Sequence, residues 1–244
     1  MIYKTCGINI TFNRIEKIKK VFIDNSSVFV GYNEPSILPI PDDAPREIPR
    51  IMLQSEHGYS QITISPEVIS FIVTFDEAFS SDWVKCEEYL KEKKGIIEDF
   101  LVAAGIKKIK YCGVFTSYQY ENISPESNAT SVIQESLLKD VAIKDKIFDI
   151  NCRMTFTIDE TYYVNISYEN ARLYQEDTDL YSAGFLNEEL SNAIAVTVDV
   201  NDRYAFNNRQ EYESNTSVLE KLIGLNNEYI NKSSKQFKRF DDEK

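Results

Sequence analysis

The stretch RIMLQSEHGYSQITISPEVISFIVTF, residues 50–75, decides the fold class. In its middle part, Ile62 and Ile64 alternate with polar residues, which is the period of a strand with one buried face. Gly58 and Pro66 mark two tight turns that separate apolar segments. The stretch therefore predicts three consecutive antiparallel strands, at Arg50 to Ser55, Ser60 to Ser65 and Val68 to Phe75.

A long amphipathic helix is predicted after these strands. Ser80, Ser81 and Asp82 offer N-cap side chains, and Gly105 is placed to end the helix in the left-handed conformation. One apolar stripe lies between these signals and consists of Trp83, Cys86, Leu90, Ile97, Leu101 and Ala104.

A proline-rich arm, residues 33–50, precedes the three strands and holds five of the seven prolines. Proline fixes φ and lacks an N–H, so the arm is predicted to be an extended surface segment. It is either a connector draped over the sheet or a segment that reaches a partner subunit. Before the arm, the pattern predicts strands at residues 3–12 and Val28 to Tyr32, and a short helix or turn from Arg14 to Lys20.

The second half of the chain follows the same order. An Asp159-Glu160 turn is predicted between two strands, and Ser217 with Glu220 has the spacing of a helix capping box. The polar stretch 121–146 is predicted to be a connection with one or two helical turns, and Gln175 to Glu189 is predicted to be an acidic loop. The predicted strands of this half are Lys146 to Ile158, Tyr162 to Leu173 and Ala193 to Phe206, and its closing helix runs from about Thr216 to Phe237. Residues 111–120 are a predicted strand of the first half, after the long helix.

Runs of antiparallel strands followed by long helices predict an α+β fold, with antiparallel sheets covered by long helices. The order indicates two pseudo-repeated strand-strand-strand-helix halves. The N-terminal half, 1–125, carries the arm 33–50, and the C-terminal half, 145–244, ends in a long helix. We expect the two halves to form one compact unit.

The charge balance limits the partners. The 244 residues include 39 acidic and 27 basic ones, for a net charge of −12. Binding to a nucleic-acid backbone depends largely on cationic surface, so nucleic acid is not an expected partner. The sequence lacks an apolar run of about 18 residues and the apolar region of a signal peptide. We therefore expect a cytoplasmic protein with no membrane partner.

The four cysteines, Cys6, Cys86, Cys112 and Cys152, are far apart in sequence. This spacing excludes a CxxC redox or zinc motif. Free cysteine packs as a small apolar residue, so we expect reduced and mostly buried thiols.

Few residues carry a signal for chemistry. The common nucleotide, hydrolase and zinc motifs are absent from the sequence, and His57 is the only histidine. It lies in a predicted turn, where exposure to solvent is the simpler interpretation. Asp149, Asp199 and Asp202, near predicted strand ends, could supply acid–base or Mg²⁺ chemistry, although aspartate is also common in turns. The sequence thus identifies no catalytic, cofactor-binding or metal-ligating residue, and no cofactor is expected.

Two surface features suggest contacts with proteins. Residues 149–213 hold thirteen acidic and four basic residues, and so carry −9 of the net charge. They form either a solvated acidic face or a docking surface for a basic partner. Tyrosine is favoured in strands and is also enriched at interfaces. The tyrosines in question are Tyr59, Tyr111, Tyr118, Tyr120, Tyr162, Tyr163, Tyr168, Tyr174 and Tyr181.

Several segments resemble a sporadically distributed bacterial family whose members are about as long as this chain. They are EIPR (Glu47 to Arg50), LQSEHGYSQITISPEVISF (Leu53 to Phe71), the helix from Trp83, the strand YCGV with Gly113, and the final helix. After that glycine the family favours a basic-aromatic-Asn pattern, whereas this chain has Phe115, Thr116 and Ser117. The resemblance implies no established activity. It implies an accessory or mobile-element gene product, antiviral defence included.

Three functions remain open. The missing catalytic motifs favour a non-enzymatic protein-binding or assembly component of a bacterial accessory system, which self-associates or binds another protein. The second is a small-molecule or peptide-binding sensor, or a chaperone-like module, that uses the open face of the sheet. The third is a metal-dependent nuclease or hydrolase that uses carboxylates such as Asp199 and Asp202.

Overall fold

The structure is a computed structural model that describes residues 1–41, 44–120, 128–138, 147–174 and 189–237. Its helices are α1 (Ile18–Asn25), α2 (Glu77–Ser80), α3 (Trp83–Ala103), α4 (Ala129–Leu137), α5 (Arg203–Asn208) and α6 (Ser217–Ser234). Its strands are β1 (Ile2–Phe12), β2 (Ser36–Ile37), β3 (Ile51–Gln54), β4 (Ser60–Ile64), β5 (Val68–Thr74), β6 (Ile109–Tyr120), β7 (Asn151–Ile158), β8 (Tyr162–Tyr174) and β9 (Glu189–Asn201).

The described strands form one antiparallel sheet in the order β2-β3-β4-β5-β1-β6-β9-β8-β7. Together with the helices, this sheet confirms the predicted α+β class. The described strands form one continuous sheet, whereas more than one sheet was predicted. The central pair, β1 and β6, places Ile8 opposite Val114. Each half of the chain therefore supplies the strands on one side of this pair.

The core lies between the sheet and the long helices. On β6, alternate residues such as Val114 and Thr116 are buried, and Thr116 donates a hydrogen bond to Asn226 of α6 at 2.7 Å. On the other side of the core, Trp83 of α3 packs on Tyr3, with 4.9 Å between ring centroids. The opposite face of the sheet carries mostly Ser, Thr, Asn and Gln side chains.

The predicted strand Val28 to Tyr32 is wrong. A 3-10 turn occupies Ser26–Val28, and Phe29 packs against Phe100 with ring centroids 5.1 Å apart. Gly31 follows with φ +82°. Phe29 is therefore the anchor of a loop, and only Tyr32 forms an isolated bridge, to Ser55.

The proline arm forms only the two-residue strand β2, and Arg50 fixes it to the sheet. The Arg50 guanidinium is 1% exposed and donates hydrogen bonds to the carbonyl groups of Ile48, Pro41, Ala44 and Pro45. A buried cation is tolerated because backbone carbonyls replace its water. This geometry supports the connector interpretation of the arm.

The third predicted strand of the second half ends earlier than expected. It stops at Asn201, and residues up to Phe206 belong to α5 instead. The cause is Asp202, which is fully buried and accepts a hydrogen bond from the Cys112 backbone N–H at 2.6 Å. The Asp202 N–H still donates to the Cys112 carbonyl at 3.2 Å, so the carboxylate takes the place of the backbone carbonyl as the acceptor and the ladder ends here.

Other element boundaries also shift. The predicted strand from Lys146 begins only at Asn151. The helix predicted at Arg14 to Lys20 is α1, which begins at Ile18. The predicted connection 121–146 contains α4, and its remaining residues, 121–127 and 139–146, lie outside the described residues.

The capping prediction was right for α3 and wrong for α6. Asp82 accepts hydrogen bonds from the N–H groups of Val84 and Lys85, and Gly105 has φ +67°. At α6 the N-cap is Thr216, without a side-chain bond, and Asn215 accepts from the Ser217 N–H instead. The helix ends at Ser234 rather than at Phe237.

The thiol prediction is confirmed. All four cysteines are free; Cys6, Cys86 and Cys112 are buried, and Cys152 is half-buried. Among the helices of the described residues, none is long and apolar enough to cross a membrane.

Candidate functional site

Asp199 lies on the open face of the sheet, near the C-terminal end of β9. It pairs with Phe115 on one side and with Asn165 on the other. Its Oδ2 accepts hydrogen bonds from the Asn165 side-chain amide at 2.8 Å and from that of Asn201 at 3.2 Å. The carboxylate is therefore held by amide donors in a row of polar side chains.

Asp202 belongs to a different environment. Its Oδ1 accepts from the Cys112 N–H, and its Oδ2 accepts from the hydroxyl groups of Tyr212, at 2.7 Å, and Ser214. These bonds attach the segment before α6 to β6. Asp199 and Asp202 share no hydrogen-bond partner, so the structure does not bring them together as a pair.

The acidic region 149–213 does not form one face in the described part of the chain. Asp149 is exposed before β7, Asp159 and Glu160 form the hairpin turn, and Asp202 is buried. Glu176, Asp177, Asp179 and Glu188 lie outside the described residues, as does Tyr181. The described residues hold no group of three or more His, Cys, Asp and Glu side chains placed to bind a metal ion.

His57 is exposed, as its place in the turn predicts, but it is also part of a hydrogen-bonded chain. Its Nδ1 accepts from the Tyr59 N–H at 3.1 Å, so the neutral ring carries its proton on Nε2. Nε2 then donates to the Tyr89 hydroxyl at 2.8 Å. The Tyr89 hydroxyl in turn lies 2.8 Å from Ser60 Oγ.

The hydroxyl groups beside His57 are not accessible. Ser55 Oγ lies 3.3 Å from His57 Nδ1 but already accepts from the Ser60 N–H at 3.0 Å. Both serines are 1% exposed. A nucleophile must reach its substrate, so these contacts fix the side chains of His57 and Tyr89 rather than form a Ser-His site.

The fixed side chains form part of an aromatic pocket of about 260 Å³. It lies between the turn before β4, the end of β5, α2 and α3. Its lining consists of His57, Tyr59, Val73, Thr74, Phe75, Asp76, Phe79 and Tyr89. Five of these eight residues carry an aromatic ring, so the pocket is lined mainly by aromatic side chains.

The rings in the aromatic pocket are packed against each other. Phe75 and Phe79 are stacked with 6.3 Å between centroids, and Phe79 meets Tyr89 edge-on at 6.2 Å. His57 is stacked on Tyr59 at 5.8 Å. These separations are those of attractive ring pairs, which hold the walls in place without a ligand.

Asp76 is the only carboxylate in the lining of the aromatic pocket. It caps α2, and its Oδ1 accepts from the N–H groups of Ala78 at 3.0 Å and Phe79 at 3.2 Å. Nearby, the buried Lys93 lies 4.9 Å from the Tyr89 ring centroid and is paired with Glu92 at 2.7 Å. In the described part of the chain, no lysine or arginine forms an ion pair with Asp76.

A second feature is the outer edge of β7. This strand pairs with β8 in eight consecutive register positions without a bulge, and no described strand lies on its other side. Arg153 is its only charged residue, and it contains no proline. Phe156 is 40% exposed. At the opposite end of the sheet, by contrast, β2 is only two residues long.

Sequence reasoning missed the aromatic pocket because its residues come from four separate segments. The spacing of Phe75, Asp76 and Phe79 is that of a capped helix start. No sequence pattern, however, indicates that Tyr89 lies beside the turn at His57. The edge position of β7 was also hidden, since alternation predicts a strand but not its neighbours.

Comparison with known proteins gives no assignment. No protein-family model matches the chain, and no curated protein is significantly similar to it.

Proposed function

We propose that the protein is a non-enzymatic assembly component that self-associates through the edge strand β7. The observation that carries the proposal is a long, regular and nearly uncharged strand edge. Natural proteins usually protect such edges with prolines, charges, bulges or short strands. Since β7 has one charge and none of the other devices, its edge is suited to pairing with another strand.

The backbone of β7 is oriented for such pairing. The Asn170 N–H donates to the Ile150 carbonyl at 3.4 Å, just before the strand begins. In an antiparallel ladder, alternate residues bond to the same neighbour. Even-numbered residues of β7 therefore bond to β8, and the N–H and C=O groups of Arg153 and Thr155 point away from the sheet.

The side chains of β7 are compatible with a second copy of itself. In an antiparallel pairing about a two-fold axis near Met154 or Thr155, Arg153 faces Thr155 or Thr157 of the copy and not its own equivalent. The half-exposed apolar residues Cys152, Met154, Phe156 and Ile158 then continue the same row across the axis. A two-fold contact of this kind is closed, so it yields a dimer rather than a fibre.

The test is the mass in solution of wild type, Arg153→Pro and Arg153→Ala, measured by light scattering. We expect wild type and Arg153→Ala at twice the chain mass of 28.2 kDa, and Arg153→Pro as a monomer. Proline removes an outward N–H that β8 does not use and is tolerated at strand edges. Thermal unfolding checks that the proline variant is folded. A monomeric wild type, or a dimer that Arg153→Pro leaves intact, contradicts the proposal.

The resemblance to a sporadically distributed bacterial family supports a role for this assembly in an accessory system, antiviral defence included. Phage plating on a bacterial host tests this role. A host that expresses the wild-type protein should resist the phage, and a host that expresses Arg153→Pro should not, because the proposed defence requires the assembled protein. Equal plating on the expressing and the empty host argues against defence but leaves the mass measurement unaffected.

We also propose that the two halves arose by duplication. The strand orders β4-β5-β1 and β8-β9-β6 are mirrored about the central pair. Apart from the two-residue β2, the 3-10 turn and the short helices α2 and α5, each half runs strand, helix, three strands, long helix. Lys4, Cys6 and Gly7 in β1 recur at the same spacing as Lys110, Cys112 and Gly113 in β6. The pairing of Ile8 with Val114 makes these two segments equivalent about one two-fold axis, which supports the proposal. Homologous sequences should retain the Cys-Gly pair in both strands; independent variation of the two would argue against a duplication.

The aromatic pocket supports a second candidate function, a small-molecule or peptide-binding sensor. Pockets lined mainly by apolar and aromatic side chains with few polar groups are typical ligand sites. The His57–Tyr89–Ser60 chain holds the walls in place, which limits the ordering that binding requires. A ligand screen by thermal shift tests this function, because a ligand that binds only the folded state raises its melting temperature.

A further inference from the structure

The aromatic pocket has the chemistry of a cation site. Aromatic rings present negative faces, and a cation within about 6 Å of a ring centroid is attracted by them. Tyr59, Phe75, Phe79 and Tyr89 supply four such rings around one volume, and His57 adds an imidazole. An organic ammonium group gains both from this field and from burial of its carbon atoms.

The one carboxylate in the lining, that of Asp76, also favours a positively charged ligand. Asp76 uses its Oδ1 to cap α2, and no described residue donates a hydrogen bond to its Oδ2. An anionic ligand beside Asp76 would be repelled, while an ammonium ligand would be attracted. The net charge of −12 also favours the approach of cations over that of anions.

The size and polarity of the pocket narrow the class of cation. A volume of about 260 Å³ admits a methylated ammonium group with a short chain. A primary ammonium needs three hydrogen-bond acceptors when buried, whereas a trimethylammonium group needs none. The polar groups of the lining are Asp76, Thr74, His57 and two tyrosine hydroxyls, and those of His57 and Tyr89 are already bonded within the protein. The lining therefore offers few free acceptors, which favours the methylated form.

We propose that this pocket binds a trimethylammonium group, which comes either from a free small molecule or from a trimethyllysine side chain. The inference is independent of assembly through β7, because the pocket is formed by the first half of the chain and β7 by the second. A monomeric protein could therefore still bind the ligand.

Choline and its neutral carbon isostere, 3,3-dimethyl-1-butanol, test the charge directly. Both have the same shape, so a pocket that recognises only apolar surface binds them equally. We expect calorimetry to give at least about tenfold tighter binding of choline, the ratio expected of several cation–π contacts. Equal binding of the two compounds overturns the proposal.

A peptide with a trimethyllysine, compared with its unmethylated form, distinguishes the two sources. Tighter binding of the peptide than of choline assigns the group to a protein ligand, and the reverse order assigns it to a small molecule. If neither choline nor the methylated peptide binds, the proposal is wrong.

Three variants assign the binding to this pocket. Asp76→Asn removes the charge but keeps a good N-cap, and Phe79→Leu replaces a ring with an apolar side chain; each should weaken choline binding by about fivefold or more. Phe206→Leu is the matched control, since it makes the same exchange at an exposed ring outside the pocket, and it should change the affinity by less than about twofold. If Phe79→Leu does not fold, Asp76→Asn still decides. Unchanged binding in Asp76→Asn and Phe79→Leu overturns the assignment.

Discussion

At the scale of single residues, Gly7 leaves room for the Phe115 ring of the neighbouring strand β6. A Cβ at this position would be 2.2 Å from Phe115 Cε1 and 2.6 Å from the Phe71 carbonyl oxygen. At Gly113, the corresponding position on β6, a Cβ would meet nothing closer than Asn201 Cβ at 3.4 Å. Close neighbours therefore exclude a side chain at Gly7 but not at Gly113.

This difference gives a matched pair of variants. Gly7→Ala should lower the free energy of unfolding by about 2 kcal/mol, because the Phe115 ring and a backbone carbonyl must both move. Gly113→Ala should change it by less than about 1 kcal/mol. Urea denaturation of the two variants measures the contrast; similar losses in both would show that the Phe115 ring moves aside freely.

The buried thiols predict a pattern of chemical reactivity. Burial, with a smaller contribution from the Asp202 carboxylate, raises the pKa of Cys112 to about 12; mainly burial raises the pKa of Cys86 to about 12 as well. Cys6 is shifted in the same direction, again mainly by burial. Since the thiolate is the reactive form, iodoacetamide at pH 8 should modify the half-buried Cys152 first in the folded protein.

The same pKa shifts link stability to pH. In the unfolded chain the thiols ionise from about pH 9, whereas Cys86 and Cys112 in the folded chain ionise near pH 12. The unfolded state therefore loses protons first, and the free energy of unfolding should fall as pH rises from 9 toward 12. Cys112→Ser and Cys86→Ala variants should each make the free energy of unfolding fall less steeply over this pH range. In the iodoacetamide experiment, modification of all four thiols at pH 8 without unfolding would contradict the burial.

At the scale of elements, α6 is fixed to the sheet by a buried amide. Asn226 accepts from the Thr116 hydroxyl at 2.7 Å and donates to the Val198 carbonyl at 2.9 Å. The helix is thereby aligned across β6 and β9. A leucine at this position would fit an apolar stripe but could satisfy neither partner.

Asn226→Leu should therefore lower the free energy of unfolding by about 2–3 kcal/mol, because it leaves a buried donor and a buried acceptor unpaired. Asn231→Ala, on the exposed side of the same helix, should lower it by less than about 1 kcal/mol. Thermal and urea unfolding compare the two. A neutral Asn226→Leu would mean that water replaces the lost partners.

The elements that the sequence predicts correctly are those that local signals determine. The hairpin around Gly58 and the cap at Asp82 depend on neighbours in the chain. The errors occur where tertiary contacts override local patterns. Phe29 becomes a core anchor of a loop, and Asp202 ends β9 by bonding to β6. The short helix α2 was missed because Asp76 caps it over only four residues.

At the scale of the whole molecule, the fold class was predictable and the strand order was not. Alternation places residues on a face but carries no information on which strand lies alongside. The pairing of β1 with β6 joins segments that are more than one hundred residues apart. The aromatic pocket and the β7 edge both depend on this order, so neither could be assigned from the sequence.

The central position of β1 has a consequence for synthesis on the ribosome. The first five strands can assemble as soon as α3 has emerged, but β1 then stands at the border of a half-built sheet. Its complement β6 arrives only after residue 120, and contacts so distant in the chain form slowly. During this interval a newly made chain exposes a long hydrophobic edge, which makes β1 the segment that a chaperone must shield.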